Sequence, residues 1–276
     1  MKNFIKLFII FCIFFISTKP ANSFSYGPEV EGVEGVETLI LVDLSSSMLL
    51  PTTDGSRIEV AINSAYRLVS QYKNTDKIGL RVIGYAHPIS FSPQFFSTLS
   101  HALLCKQTVT PIPIGENNIT KIRKKLLTLS PFGDTPLEYS LREAIYNDFS
   151  NTNNLKHIIL ITDGGENCGG DPCAFMREVM ATRNDIRIDV IAVCLDNQYI
   201  PLYDCITDAT GGAIINIDNI KDINPTLTKF ISPTVDTPKV EYPDIDKDFP
   251  DFDFTFNTKP KNNFTFKNYI MEYNEN

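Results

Sequence analysis

The chain has 276 residues, 43% of them hydrophobic, and carries a formal net charge of −8. That apolar share is enough for one α/β core of about 190 residues plus ends. The acidic balance argues against nucleic acid as the main partner and is compatible with attraction of cations.

Taken in chain order, the first 23 residues read as a secretory signal. Lys2 and Lys6 make the basic start, residues 7–16 the apolar stretch, and Ala21-Asn22-Ser23 a cleavage site. The apolar stretch is too short for a comfortable membrane span, and no later stretch could cross a bilayer. Cys12 follows Phe11 rather than a small residue, which argues against a lipoprotein signal. The mature protein is therefore expected to be secreted or periplasmic, without a stable transmembrane span. Residues 24–36 form a Gly- and Glu-rich linker with little to bury.

The folded domain then alternates strands and helices. A strand is expected at 38–43, and Ser56 with Glu59 forms a capping box for a helix to about residue 72. A second strand covers 77–85. Residues 86–115 contain Pro88, Pro93, Pro111 and Pro113 and read as a long loop carrying an edge strand near 107–112. Helices follow at 118–129 and 136–148, the latter with Thr135, Pro136 and Glu138 as a capping box. A strand at 157–162, a helix from Asp171-Pro172 to about 184, and a strand at 187–194 come next. A helix at 201–209, a Gly211-Gly212 turn, a strand at 213–217 and a helix at 219–230 close the domain. This alternation predicts an α/β fold: a doubly wound, mainly parallel, Rossmann-like sheet of about six strands with helices on both faces.

From Ser232 the composition shifts to Pro, Asp, Lys and Asn, too polar to hold a core. Within residues 231–276, Phe252, Phe254 and Phe256 alternate with polar residues, and Phe264 and Phe266 repeat the pattern. Two readings stand for this tail: disorder, or a strand that adds to a sheet edge or a partner. It is expected to be dispensable for folding and metal binding but to matter for assembly or partner choice.

Chemistry concentrates at three places. Asp43, Ser45 and Ser47 end the first strand in ETLILVDLSSSM, giving one carboxylate and two hydroxyls at every second position with no lysine or histidine nearby. Such oxygens suit Mg²⁺, Mn²⁺ or Ca²⁺ rather than zinc. GDTPLEYSLREAI supplies Thr135, and KHIILITDGGENC supplies Asp163 after a buried strand. In an open parallel sheet, ligands collect beyond the carboxyl ends of strands where the strand order reverses, so all five residues could meet in one crevice.

With DLSSS, GDTPL and ITDGG in this order, the chain resembles the von Willebrand factor A family and its metal-ion-dependent adhesion site. The resemblance covers residues 37–230, and the runs ENCGGDPCAF and CITDATGG look like a bacterial secreted branch. It implies direct cation contact by Ser45, Ser47 and Thr135, and contact through water by Asp43 and Asp163. One coordination position would remain for a carboxylate of a protein partner. The implied function is a non-enzymatic, cation-dependent adhesion or assembly module. The alternatives are a structural domain without metal-dependent binding, and a metal-assisted hydrolase in which Glu166 is the base. The GxSxG, HExxH and GxxxxGK[ST] motifs of common hydrolases and nucleotide binders are absent. His87 and His101 fall in the irregular loop, and His157 opens a strand, where a structural or exposed role is expected.

Five cysteines follow the signal: Cys105, Cys168, Cys173, Cys194 and Cys205. Their spacing lacks a zinc pattern. Cys194 closes an apolar strand and is expected to be a buried thiol. The other four can pair in three ways. A Cys168–Cys173 bridge would stiffen the rim after Asp163, while pairing of either with Cys105 or Cys205 would staple that rim to another element.

Overall fold

The computed structural model describes residues 35–85, 103–150 and 153–218. The signal, nearly all of the linker, residues 86–102, the helix expected at 219–230 and the tail lie outside the described residues.

Four strands carry near-continuous apolar sequence: β1 (Val36–Asp43), β4 (Lys77–Ile83), β6 (Leu155–Thr162) and β7 (Ile186–Val193). Such runs suit strands buried on both faces. With β5 (Thr108–Gly115) and β8 (Ile214–Ile217) they form a six-stranded sheet in the order β5-β4-β1-β6-β7-β8. All neighbours are parallel except β4 and β5. The antiparallel β5 is the edge strand expected near 107–112, and Pro111 and Pro113 are tolerated there because one side of an edge needs no donors. A two-residue hairpin, β2 (Pro51–Thr52) with β3 (Gly55–Ser56), was not legible in the pattern.

Side chains alternate across the sheet, so each face has its own core. Ile40 and Val42 pack with α1 (Arg57–Ser70) and α2 (Ile119–Leu126). Leu39 and Leu41 pack on the other face with α3 (Leu137–Glu143), α4 (Pro172–Met180) and α5 (Ile200–Thr210). The α/β class and doubly wound sheet match the expectation. Strand order reverses between β1 and β6, which places the ends of ETLILVD and HIILIT side by side.

Local signals hold unevenly. Glu59 reaches back to the Ser56 N–H at 2.6 Å, completing the expected box at α1. The Asp171 carboxylate accepts the Ala174 N–H at 2.9 Å and caps α4, which ends earlier than expected, at Met180. The Thr135–Glu138 box does not form. The Thr135 N–H donates to Asn167 Oδ1 at 2.7 Å, and Glu138 turns to the Asp171 N–H and to Arg142. Tertiary acceptors on a neighbouring loop replace the local ones. The helix expected over 136–148 is α-helical only to Glu143 and then opens into a π-turn over Ala144–Asp148. His157 is buried and bonded through Nε2 to Asp189 at 2.7 Å, a structural role.

Candidate metal centre

β1 ends in Asp43, and the chain leaves the sheet as a 3-10 turn over Ser46–Leu49. Asp43 is not on an exposed loop: it is the last strand residue and is fully buried. Its Oδ1 accepts the Ser45 N–H at 2.7 Å, and its Oδ2 accepts the Thr162 hydroxyl at 2.7 Å. Across the switch point, Asp163 follows β6. Its Oδ1 accepts the Ser47 hydroxyl at 2.8 Å, and its Oδ2 accepts Nη1 of Arg57 at 2.8 Å. The Ser45 and Ser47 hydroxyls lie 3.0 Å apart. Four of the five sequence-derived residues thus form one continuous hydrogen-bonded chain.

Thr135 reaches the same end of the sheet through its loop. Gly133 pairs with Ser45 in a short parallel bridge, with the Ser46 N–H donating to the Gly133 carbonyl at 2.8 Å. A Cβ at Gly133 would collide with the backbone of Gly84, itself at φ +67°, so only glycine permits this approach. Asn167 then ties the Thr135 backbone to the loop after Asp163. The Thr135 side chain is buried, and its hydroxyl makes no hydrogen bond within the described residues.

Two aspartates and three hydroxyls are an all-oxygen set of the kind that suits Mg²⁺, Mn²⁺ or Ca²⁺. The donor chemistry therefore fits a hard divalent cation. Electrostatics points the same way. Burial, and then the neighbouring charge of Asp163, push the Asp43 carboxyl up to about 7. Burial also raises Asp163, opposed by its bonds from Arg57 and Ser47. Two buried carboxylates, only one of them bonded to a guanidinium, leave negative charge that a cation would neutralise.

The raised Asp43 carboxyl has a measurable consequence. Its folded-state value lies above the ordinary 3.8, so folding favours the protonated form. The associated stability is full below about pH 4 and is lost as pH rises through about 7. In metal-free buffer, Asp43→Asn should therefore be more stable than wild type at pH 8, by about 1–3 kcal/mol. The difference should shrink toward zero at pH 4. Urea unfolding at the two pH values measures it, and equal stability of the two proteins at pH 8 would contradict the buried-charge account.

Tyr203 and Arg57 escaped sequence reasoning, and Glu166 has a different role from the one considered. Glu166, considered as a general base, has both oxygens engaged: Oε1 accepts the Cys168 N–H at 2.6 Å and Oε2 the Glu138 N–H at 2.9 Å. It braces the loop. The Tyr203 hydroxyl donates to the Gly164 carbonyl from a fully buried position. Arg57 had one available signal. A cation in the first turn of a helix opposes the helix dipole, so it needs a compensating anion nearby.

The disulfides select one of the three pairings that the sequence left open. Cys168 does not pair with Cys173. Cys105 bonds Cys168 and Cys173 bonds Cys205, with Cα separations of 5.3 and 5.7 Å. The rim after Asp163 is stapled on both sides, to the segment before β5 and to α5. Cys194 is a free, half-buried thiol. Asp134 lies close to the sulfurs of Cys105 and Cys168, but sulfurs bonded to each other are not thiolate ligands.

No sequence-family model matches the chain. Two Bacillus subtilis (strain 168) proteins, both uncharacterized, are related in sequence. YwmD is 29% identical over 163 residues, covering 57% of this chain and 67% of its own. YwmC is 24% identical over 230 residues, covering 83% and 97%. Among solved structures, proximal thread matrix protein 1 from the mussel byssus superposes with a TM-score of 0.53 at 16% identity, covering 72% of this chain and 48% of that one. The same mussel protein has been solved with zinc in its MIDAS motif. The SpRpn10 VWA domain gives a TM-score of 0.53 at 13% identity, covering 73% of this chain and 99% of that domain. The chain thus spans about half the length of the mussel protein and nearly all of the isolated SpRpn10 domain. No helix among the described residues is long and apolar enough to cross a membrane. By its strand order, the hydrogen-bonded groups gathered at its switch point and these likenesses, the chain is a protein of the von Willebrand factor A fold.

Proposed function

We propose that the chain is an exported, divalent-cation-dependent protein-binding module that grips an Asp or Glu of a partner. The observation that carries this reading is the hydrogen-bonded run from Asp43 through Ser45 and Ser47 to Asp163 at the sheet's switch point, with Thr135 buried on a loop tied to the segment after Asp163. Ser45, Ser47 and Thr135 would contact the cation (Mg²⁺, Mn²⁺ or Ca²⁺) directly, and Asp43 and Asp163 would hold it through water. A cation so bound supplies a positively charged coordination position for an incoming carboxylate. Ser45 and Ser47 are aligned for this by the Asp43 and Asp163 carboxylates. Export is supported by two disulfides, which persist in oxidising compartments, and by the signal-like first 23 residues. Adhesion or assembly is favoured over hydrolysis because Glu166 is spent on loop bracing.

Calorimetric titration with Mg²⁺ and Mn²⁺ tests the site. Wild type should bind one ion. Thr135→Val, which removes the hydroxyl at nearly constant volume, should weaken binding by about tenfold or more, while Thr135→Ser should stay near wild type. Equal affinity of the valine variant would remove Thr135 from the ligand set. The partner class is then tested by retention on immobilised protein of envelope and medium proteins in Mg²⁺. Bound proteins should elute with chelator and be absent on an Asp163→Ala column.

A further inference from the structure

Arg57 opens α1 and aims its side chain away from its own helix, at Asp163. The pair is asymmetric: Asp163 is fully buried, whereas the Arg57 side chain is 22% exposed. Among the described residues one guanidinium bond is made, from Nη1, and the buried Nε has no hydrogen-bond partner. An arginine that served purely as a structural clamp would present its fork and satisfy several of its five donors. Here a buried donor is left unpaired for the sake of one contact, an arrangement that normally costs stability. Asp163 meanwhile has both oxygens occupied, one by Ser47 and one by Arg57.

We infer that Arg57 is a built-in competitor for the cation: its guanidinium occupies Asp163 Oδ2, the oxygen that Ser47 does not hold, and must release it for the ion to load. This rests on the metal-dependent reading above and adds a regulatory element to that site. The single bond and the partial exposure make release cheap, because the freed guanidinium regains water at Nη1 and has no second bond to break. Retention of the residue has a physical function. The guanidinium offsets the charge of two buried carboxylates, and so stabilises the fold whenever no cation does so. With an ion bound, the same positive charge lowers affinity. Repulsion between a unit and a divalent charge a few ångströms apart corresponds to on the order of tenfold, even with water-like screening. The result is a site that loads reversibly and responds to changes in cation concentration instead of holding one ion permanently.

The experiment is Mn²⁺ titration calorimetry on the full chain in three forms: wild type, Arg57→Gln and Arg57→Lys. Circular dichroism melting of each metal-free protein establishes that it is folded. Arg57→Gln should bind Mn²⁺ about tenfold tighter than wild type and melt lower without metal. Arg57→Lys keeps the charge and should stay closer to wild type than to the glutamine variant. Affinity of Arg57→Gln that equals or falls below wild type, with wild type binding well, overturns the competitor role and leaves the metal site standing. Absence of binding in both wild type and Arg57→Gln overturns the metal site and the competitor together.

Discussion

Asp163→Ala is expected to abolish measurable Mg²⁺ and Mn²⁺ binding, and Asp43→Ala to do the same, with the sheet preserved in both. The two residues differ in what their loss does to the metal-free fold. Asp43 holds the Ser45 N–H and the Thr162 hydroxyl at full burial, so its removal leaves the first unpaired and the second with only a long contact to the Gly164 carbonyl at 3.4 Å. That costs about 1–3 kcal/mol per group, offset by relief of a buried charge. Asp163→Ala strands the Arg57 guanidinium, which is partly exposed and can turn to water, so its stability cost should be smaller. Each variant removes an anchor of a proposed ligand: without Asp43 the Ser45 N–H loses its acceptor, and without Asp163 the Ser47 hydroxyl loses its carboxylate. Titration calorimetry reads the loss of binding, and thermal melting of the metal-free proteins reads the difference between them. Unchanged Mn²⁺ affinity in both would show that the crevice is not the cation site.

The second large effect belongs to the disulfides. Cys173–Cys205 and Cys105–Cys168 close separations of 32 and 63 residues. On the chain-entropy account, each is worth about 3–4 kcal/mol. Cys173→Ser with Cys205→Ser should therefore lower the melting temperature by roughly 10 °C in a domain of this size. Metal affinity at the lower temperature should be little changed, since this bridge ties α4 to α5 behind the rim. Cys105→Ser with Cys168→Ser should act differently. Cys168 adjoins Asn167, which holds the Thr135 backbone, and its N–H is bonded to Glu166. Loosening that segment disturbs the support of a proposed ligand, for which losses of about 10–100-fold in metal affinity are typical. Parallel calorimetry and melting on the two double variants separate the effects. Equal loss of affinity in both would mean that the bridges act on the fold as a whole.

How much of this was legible in the chain depends on the range of the interaction involved. Apolar runs at 38–43, 157–162 and 187–194 announced buried parallel strands because such strands must be apolar on both faces. Ser56 with Glu59, and Asp171 before Pro172, announced their helices because a cap is a bond between residues three apart. The order DLSSS, GDTPL, ITDGG named the crevice because strand alternation alone forces strand ends to one edge of the sheet. Thr135 misled as a cap because its box competes with Asn167 and Glu166, acceptors about 30 residues away that no local rule weighs. Cysteine spacing could not choose the pairing, since Cys105 meets Cys168 only after the segment before β5 has folded beside the loop after β6. Arg57 on Asp163, and the depth at which Asp43 is buried, were likewise decided by packing α1 across the ends of β1 and β6. The sequence by itself determined the layers, the switch point and the residue types that gather there. Tertiary structure alone decided which of those groups are paired, buried or free, because each such pairing closes a long loop whose partner is chosen by the whole fold.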